Sequence, residues 1–191
     1  DLYTLREYKL VNCYCRSELG GGGVALYCKN NLLINPISLS INCVEQVFEY
    51  CCITLQSLKI IIASIYRSPN ANFDHFLEYL YALVGKIRVK CDFVFVMGDF
   101  NVDLLHTTNE SVKFLDLLKG FNLRQIIVDP TRIFGGSISL LDNVFTNFET
   151  DSISYSMLDT HLSDHQLIHI LLKFEHLSLI HISEPTRRTP I

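Results

Sequence analysis

The chain has no surplus of positive charge. Its formal net charge is −4 at pH 7, which argues against a protein that grips a nucleic-acid backbone through ion pairs alone. An enzyme whose acidic residues hold a divalent cation against phosphate remains compatible with it. Long apolar runs are missing too: stretches such as "IIIASIY" are far too short to span a bilayer, and nothing at the start reads as a signal peptide, so no membrane partner is expected. No pair of CxxC elements occurs among the seven cysteines, all of which precede residue 92. Several lie in apolar, strand-like runs, so buried reduced thiols are expected in place of zinc ligands or disulfides, in an intracellular, nuclear or cytosolic setting. The glycine run at 20–23 lacks a following Lys-Ser/Thr and leads into a strand, which makes it a hairpin turn and not a phosphate-cradling loop. The first residue is Asp1, not Met, and the natural start is expected upstream.

What is present reads as one domain. A chain of 191 residues that is 49% hydrophobic is long enough for a substantial core. Strand-like segments "YKLVNCYC", "GVALYCK", "VFEYCCITL" and "LKIIIASIY" fill the first half. Phe73, Phe76, Leu77, Leu80, Val84 and Ile87 then recur at helical spacing, and with a capping Asn they predict a helix over 72–90. A buried strand follows at 93–97. A second helix is predicted over 111–119, with Gly120 as its stop. Further strands are read near "LRQII", "SLLDNVFTN", "SISYSML" and "QLIHILLKF". This order suggests an α/β fold of two packed sheets with helices outside. The tail differs in kind: Leu177 to Arg187, "LSLIHISEPTR", resembles a translated sequencing adapter. Residues 177–191 are therefore set aside as non-native, leaving a domain at 1–176.

Chemistry-bearing residues cluster where strands are read to end. "FVFVMGDFNVDLL" runs an apolar strand into Gly98, Asp99, Asn101 and Asp103. Asp and Asn are ordinary turn residues, but the carboxyl end of a doubly covered strand is also where ligands of α/β sheets bind. "SIYRSPN" places Tyr66, Arg67 and Asn70 at another strand end, and Tyr and Asn are neutral donors suited to phosphate oxygens. Asp142 interrupts the apolar "SLLDNVFTN", where an unpaired charge carries a desolvation penalty. A histidine is the partner best suited to it, since a carboxylate fixes the imidazole tautomer and supports its positive charge near a phosphate. "LSDHQLI" supplies Asp164 and His165 just before a strand.

Taken in order, "GGGGVALYCKNNL", "ASIYRSPN", "VMGDFNVDL", "LLDNVFTN" and "SDHQLI" resemble the endonuclease/exonuclease/phosphatase superfamily, most of all the endonuclease domain of non-LTR (LINE-type) retrotransposons. The resemblance runs from about Tyr8 to Phe174. It implies a four-layer α/β sandwich and hydrolysis of a DNA phosphodiester, leaving a 3′-hydroxyl for a reverse transcriptase in the same polyprotein. The implied ion is Mg²⁺, with Mn²⁺ as a substitute. Carried over by position, Asp99 and Asn101 orient and activate water, and His165 contacts the scissile phosphate with Asp142 as its partner. Asp164 lies at the metal site, Tyr66 and Asn70 donate to phosphate oxygens, and Arg67 joins the substrate contacts. One departure stands out: the family's first strand and helix, with their Asn and Glu metal ligands, have no counterpart ahead of "YKLVNCYC". The chain as given is therefore expected to have little nuclease activity. Another phosphoesterase of the superfamily, a repair endonuclease or a lipid or inositol phosphatase, is the alternative enzyme; a non-catalytic remnant is the alternative outside enzymes.

Overall fold

The computed structural model describes residues 4–17 and 22–174, so the adapter-like tail lies outside the described residues. In chain order the first elements are β1 (Tyr8–Cys15), β2 (Gly23–Lys29), β3 (Asn35–Pro36), β4 (Glu49–Leu55) and β5 (Ile60–Tyr66). Helix α1 (Phe73–Arg88), β6 (Phe93–Asp99) and α2 (Asn109–Gly120) follow. The last strands are β7 (Arg124–Gln125), β8 (Arg132–Phe134), β9 (Ser137–Ser139), β10 (Asp142–Thr146), β11 (Ile153–Leu158) and β12 (Leu167–Leu172).

Six of these strands form one sheet in the order β3-β4-β5-β6-β10-β7. Its β5 and β6 are parallel, and all other pairs are antiparallel. A parallel pair needs a crossover, and α1 supplies it. The Asn72 side chain accepts from the His75 amide and caps the helix, and Phe76, Leu80, Leu83, Val84 and Ile87 recur on its buried face. That face and Phe114 and Leu118 of α2 meet Tyr50, Cys52, Ile61, Ala63, Val94 and Val96 of the sheet. On the opposite face, Phe95 and Val144 meet Ile153, Tyr155 and Met157 of β11 and Ile168 and Ile170 of β12. The β1–β2 pair approaches β4, and Asn12 donates to the Cys52 carbonyl at 2.8 Å. The described residues thus build three layers: helices, the large sheet, and a layer of strand pairs.

The expected second sheet takes the form of separate antiparallel pairs, β1–β2 and β11–β12. Three strands escaped the sequence reading. Strand β3 is only two residues long, and β8–β9 is a hairpin turning through Gly135 and Gly136, with φ of +57° and +83°. Consecutive positive φ values are the signature of a tight hairpin turn, so "RIFGGSIS" held the cue. Helix α2 begins two residues ahead of its expected start because Thr108 and Ser111 form a reciprocal capping box. The cysteines are all free: Cys28, Cys51 and Cys52 are buried as expected, whereas Cys13 and Cys15 on β1 are exposed. Burial pushes the Cys51 thiol up to about 12, which leaves it unreactive. No helix among the described residues is long and apolar enough to cross a membrane.

Candidate active site

Strand pairing alone lines up the acidic row. Glu49 of β4 lies opposite Tyr66 of β5, Tyr66 opposite Asp99 of β6, and Asp99 opposite Asp142 of β10. Directly paired residues share a face, so this row runs across four strands at one end of the sheet. Ile65, the neighbour of Tyr66, packs into the helix-side core; alternation turns Tyr66 and its row to the opposite face.

Gly98 makes the approach of β5 and β6 possible. Its φ is +138°, and a Cβ built on it would stand 1.9 Å from the Ile65 carbonyl oxygen. Beyond it the turn is locked by side chains. Asp99 Oδ1 accepts from the Asn101 amide at 3.0 Å, and Asn101 Nδ2 donates to Asp99 Oδ2 at 3.2 Å and to the Arg67 carbonyl at 2.6 Å. Asn101 sits at φ +48°, a conformation that Asn tolerates better than most side chains. Asp103 holds the following loop, accepting from the Leu140 amide at 3.0 Å, so the second acidic residue of "FVFVMGDFNVDLL" is structural.

His165 comes from the loop ahead of β12, and its Nδ1 lies 2.7 Å from Asp142 Oδ2. Thr131 sets the start of β10: its buried hydroxyl accepts from the Leu141 and Asp142 amides, each at 3.0 Å. Arg132 pairs with Asp164, Nε to Oδ2, at 2.7 Å. Ligand atoms of Asp99, Asp142 and His165 all lie within 4.8 Å of one another. Burial, with the Asp142 charge next, pushes the Asp99 carboxyl up to about 6, against the Asn101 amide, His165 and Arg132. Two carboxylates and an imidazole this close are a donor set that can hold a metal ion, and a divalent cation would relieve the crowding of negative charge.

The structure therefore brings Asp99, Asn101, Asp142, His165 and Tyr66 to one place. Asp164 is placed differently: Arg132 takes its carboxylate and draws its pKa below the ordinary value, and Asp164 is not in the three-residue cluster. Arg67 is corrected. Its side chain is buried, 2% exposed, and donates to the Asn101 and Ala71 carbonyls at 3.0 Å each while lying over the rings of Phe73 and Phe76. It braces the turn from behind and has no open face for a substrate. Asn70 is exposed in the turn that follows β5. Thr131, Arg132, Glu49 and Arg16 are the site neighbours that sequence reading missed; only the polar Glu49 inside "VFEYCCITL" carried a signal, an acidic residue in an apolar run.

This fold, a parallel β-α-β unit inside a mostly antiparallel sheet, is similar to that of solved endonuclease/exonuclease/phosphatase proteins. Solved structures bear this out at low sequence identity. The endonuclease domain of TRAS1, a telomere-specific non-LTR retrotransposon, superposes with a TM-score of 0.67 at 16% identity, over 91% of this chain and 84% of that one. The 3′ phosphatase NExo from Neisseria, bound to a product DNA hairpin, gives 0.63 at 10% identity over 88% and 80%. An endonuclease/exonuclease/phosphatase family protein from Leptotrichia buccalis gives 0.55 at 16% identity over 91% and 74%. No protein-family model and no curated protein sequence matches the chain.

Proposed function

We propose that this domain hydrolyses phosphodiesters of DNA in a divalent-metal-dependent reaction, nicking one strand as the endonuclease of a non-LTR retrotransposon. The observation that carries the reading is the convergence of Asp99, Asp142 and His165 within 4.8 Å, beside the clamped Asn101 and the strand-end Tyr66. The likeness to the TRAS1 endonuclease and to a DNA-bound phosphatase supports DNA as the substrate. In this reading the domain works in the nucleus and its product serves a reverse transcriptase in the same polyprotein.

Each residue has a task. Asp99 accepts a proton from the attacking water, which Asn101 helps to orient. The water oxygen bonds to phosphorus as the P–O3′ bond breaks, and the departing 3′-oxygen takes a proton from solvent to become a hydroxyl. His165, held through Nδ1 by Asp142, presents its other ring nitrogen to the phosphate. Tyr66 donates to a non-bridging oxygen, with Asn70 beside it. When bound, Mg²⁺ would be held by the carboxylates of Asp99 and Asp142 and would supply charge neutralisation at the phosphate. Plasmid nicking by the protein expressed from its complete reading frame tests this: open circles that need Mg²⁺ and vanish with Asp99→Ala support it, and turnover of small phosphate esters without nicking overturns the DNA assignment.

A further inference from the structure

Gly22 and a buried glutamate are left unused by that chemistry, and both border Arg16. Glu49 is fully buried; its Oε1 accepts from Arg16 Nε at 2.6 Å and from the Gln46 amide at 2.7 Å. Its Oε2 has no hydrogen-bond partner among the described residues. The Arg16 guanidinium, thus tethered, lies over the Tyr66 ring at 5.4 Å from the centroid. Gly22 closes the other side. A Cβ there would stand 2.6 Å from Cζ and Nη1 of Arg16, and its φ of +104° is one that side chains rarely adopt.

We propose that Arg16 is a positioning residue: anchored by Glu49 and roofed by Gly22, its guanidinium fixes the ring and hydroxyl of Tyr66 at the end of the acidic row. The proposal rests on the reading of Tyr66 as a phosphate donor. A buried ion pair is a poor device for stability alone, because desolvation consumes much of its attraction, and a planar cation over an aromatic ring restricts how that ring sits. Register adds to this, since Glu49 and Tyr66 are direct partners on β4 and β5. Gly22 thereby has a role at the site. It leaves the space that the guanidinium occupies.

The test separates positioning from charge balance. Arg16→Ala strands a buried carboxylate, so stability falls whatever Arg16 does; Arg16→Ala with Glu49→Gln removes that carboxylate's charge and should recover stability. Fluorotyrosine at position 66 then reports the ring by ¹⁹F NMR, and plasmid nicking by the full reading frame reports the chemistry. The double variant is expected to melt near the parent, yet to show a shifted or broadened fluorine resonance and a kcat lower by about 10- to 100-fold with little change in KM. Gly22→Ala should move the same resonance. A double variant with parent resonance and parent kcat overturns the proposal and leaves the pair structural. If the parent itself does not nick DNA, the functional reading fails, and the fluorine resonance alone decides: an unchanged signal overturns the positioning role, a shifted one supports it.

Discussion

Nδ1 of His165 lies 2.7 Å from Oδ2 of Asp142, across 23 residues of sequence, in a partly buried pocket. The contact joins the loop before β12 to the first residue of β10, and it fixes which ring nitrogen faces outward. Removing the carboxylate should leave the imidazole free to take the wrong tautomer. Asp142→Asn is therefore expected to lower kcat for nicking by roughly a hundred- to ten-thousand-fold with the fold retained. Single-turnover nicking beside a circular-dichroism melt checks both halves of that statement.

Asp99 gives a pH prediction whose sign is fixed. Its folded-state pKa of about 6 lies above the ordinary 3.8, chiefly through burial. Between those values the folded chain holds a proton that the unfolded chain has released, so this group's contribution to stability falls as pH rises through the window. In EDTA, the parent should lose up to about 2 kcal/mol between pH 4 and 7 relative to Asp99→Asn. Urea melts across that range measure it; parallel curves for the two proteins would contradict it. Nicking at limiting metal should rise through the same region as Asp99 ionises.

Gly98 is the position where a single methyl group does most damage. With a built Cβ only 1.9 Å from the Ile65 carbonyl oxygen, β5 and β6 cannot keep their register. Gly98→Ala is expected to abolish soluble expression or to lower stability by more than about 4 kcal/mol. A variant that melts within a few degrees of the parent would show that the strands can part without cost.

Arg67 should behave as a structural residue. Its guanidinium reaches three carbonyls, those of Phe100, Asn101 and Ala71, and burial lowers its pKa. Arg67→Ala is expected to cost about 3 kcal/mol, and Lys should not restore it, because one ammonium cannot span that fork. Chemical denaturation of the two variants decides between this and a substrate role, which would instead raise KM with stability unchanged.

Much of this was readable from sequence, and the misses have physical reasons. Helix α1 was legible because Phe76, Leu80, Val84 and Ile87, all buried, repeat at helical spacing behind a capping Asn. Asp99, Asn101 and Asp142 were legible as candidates because they end or break apolar runs, and His165 because it stands just ahead of one. Arg67 misled because a cation next to a strand-end tyrosine looks like a phosphate ligand, whereas its fate was set by Phe73 and Phe76 several residues later. The Arg132–Asp164 pair and the Arg16–Glu49 pair span 32 and 33 residues. No local pattern encodes such partners; only the fold brings them together.

The proposed activity is hydrolysis of a DNA backbone at this sheet end. The most direct measurement is nicking of supercoiled plasmid by the protein from its complete reading frame, with and without Mg²⁺, beside its Asp99→Ala variant. Open circles with ligatable 3′-hydroxyl ends, dependent on the metal and absent from the variant, are expected. Intact plasmid throughout, or nicking that survives Asp99→Ala, would contradict the proposal.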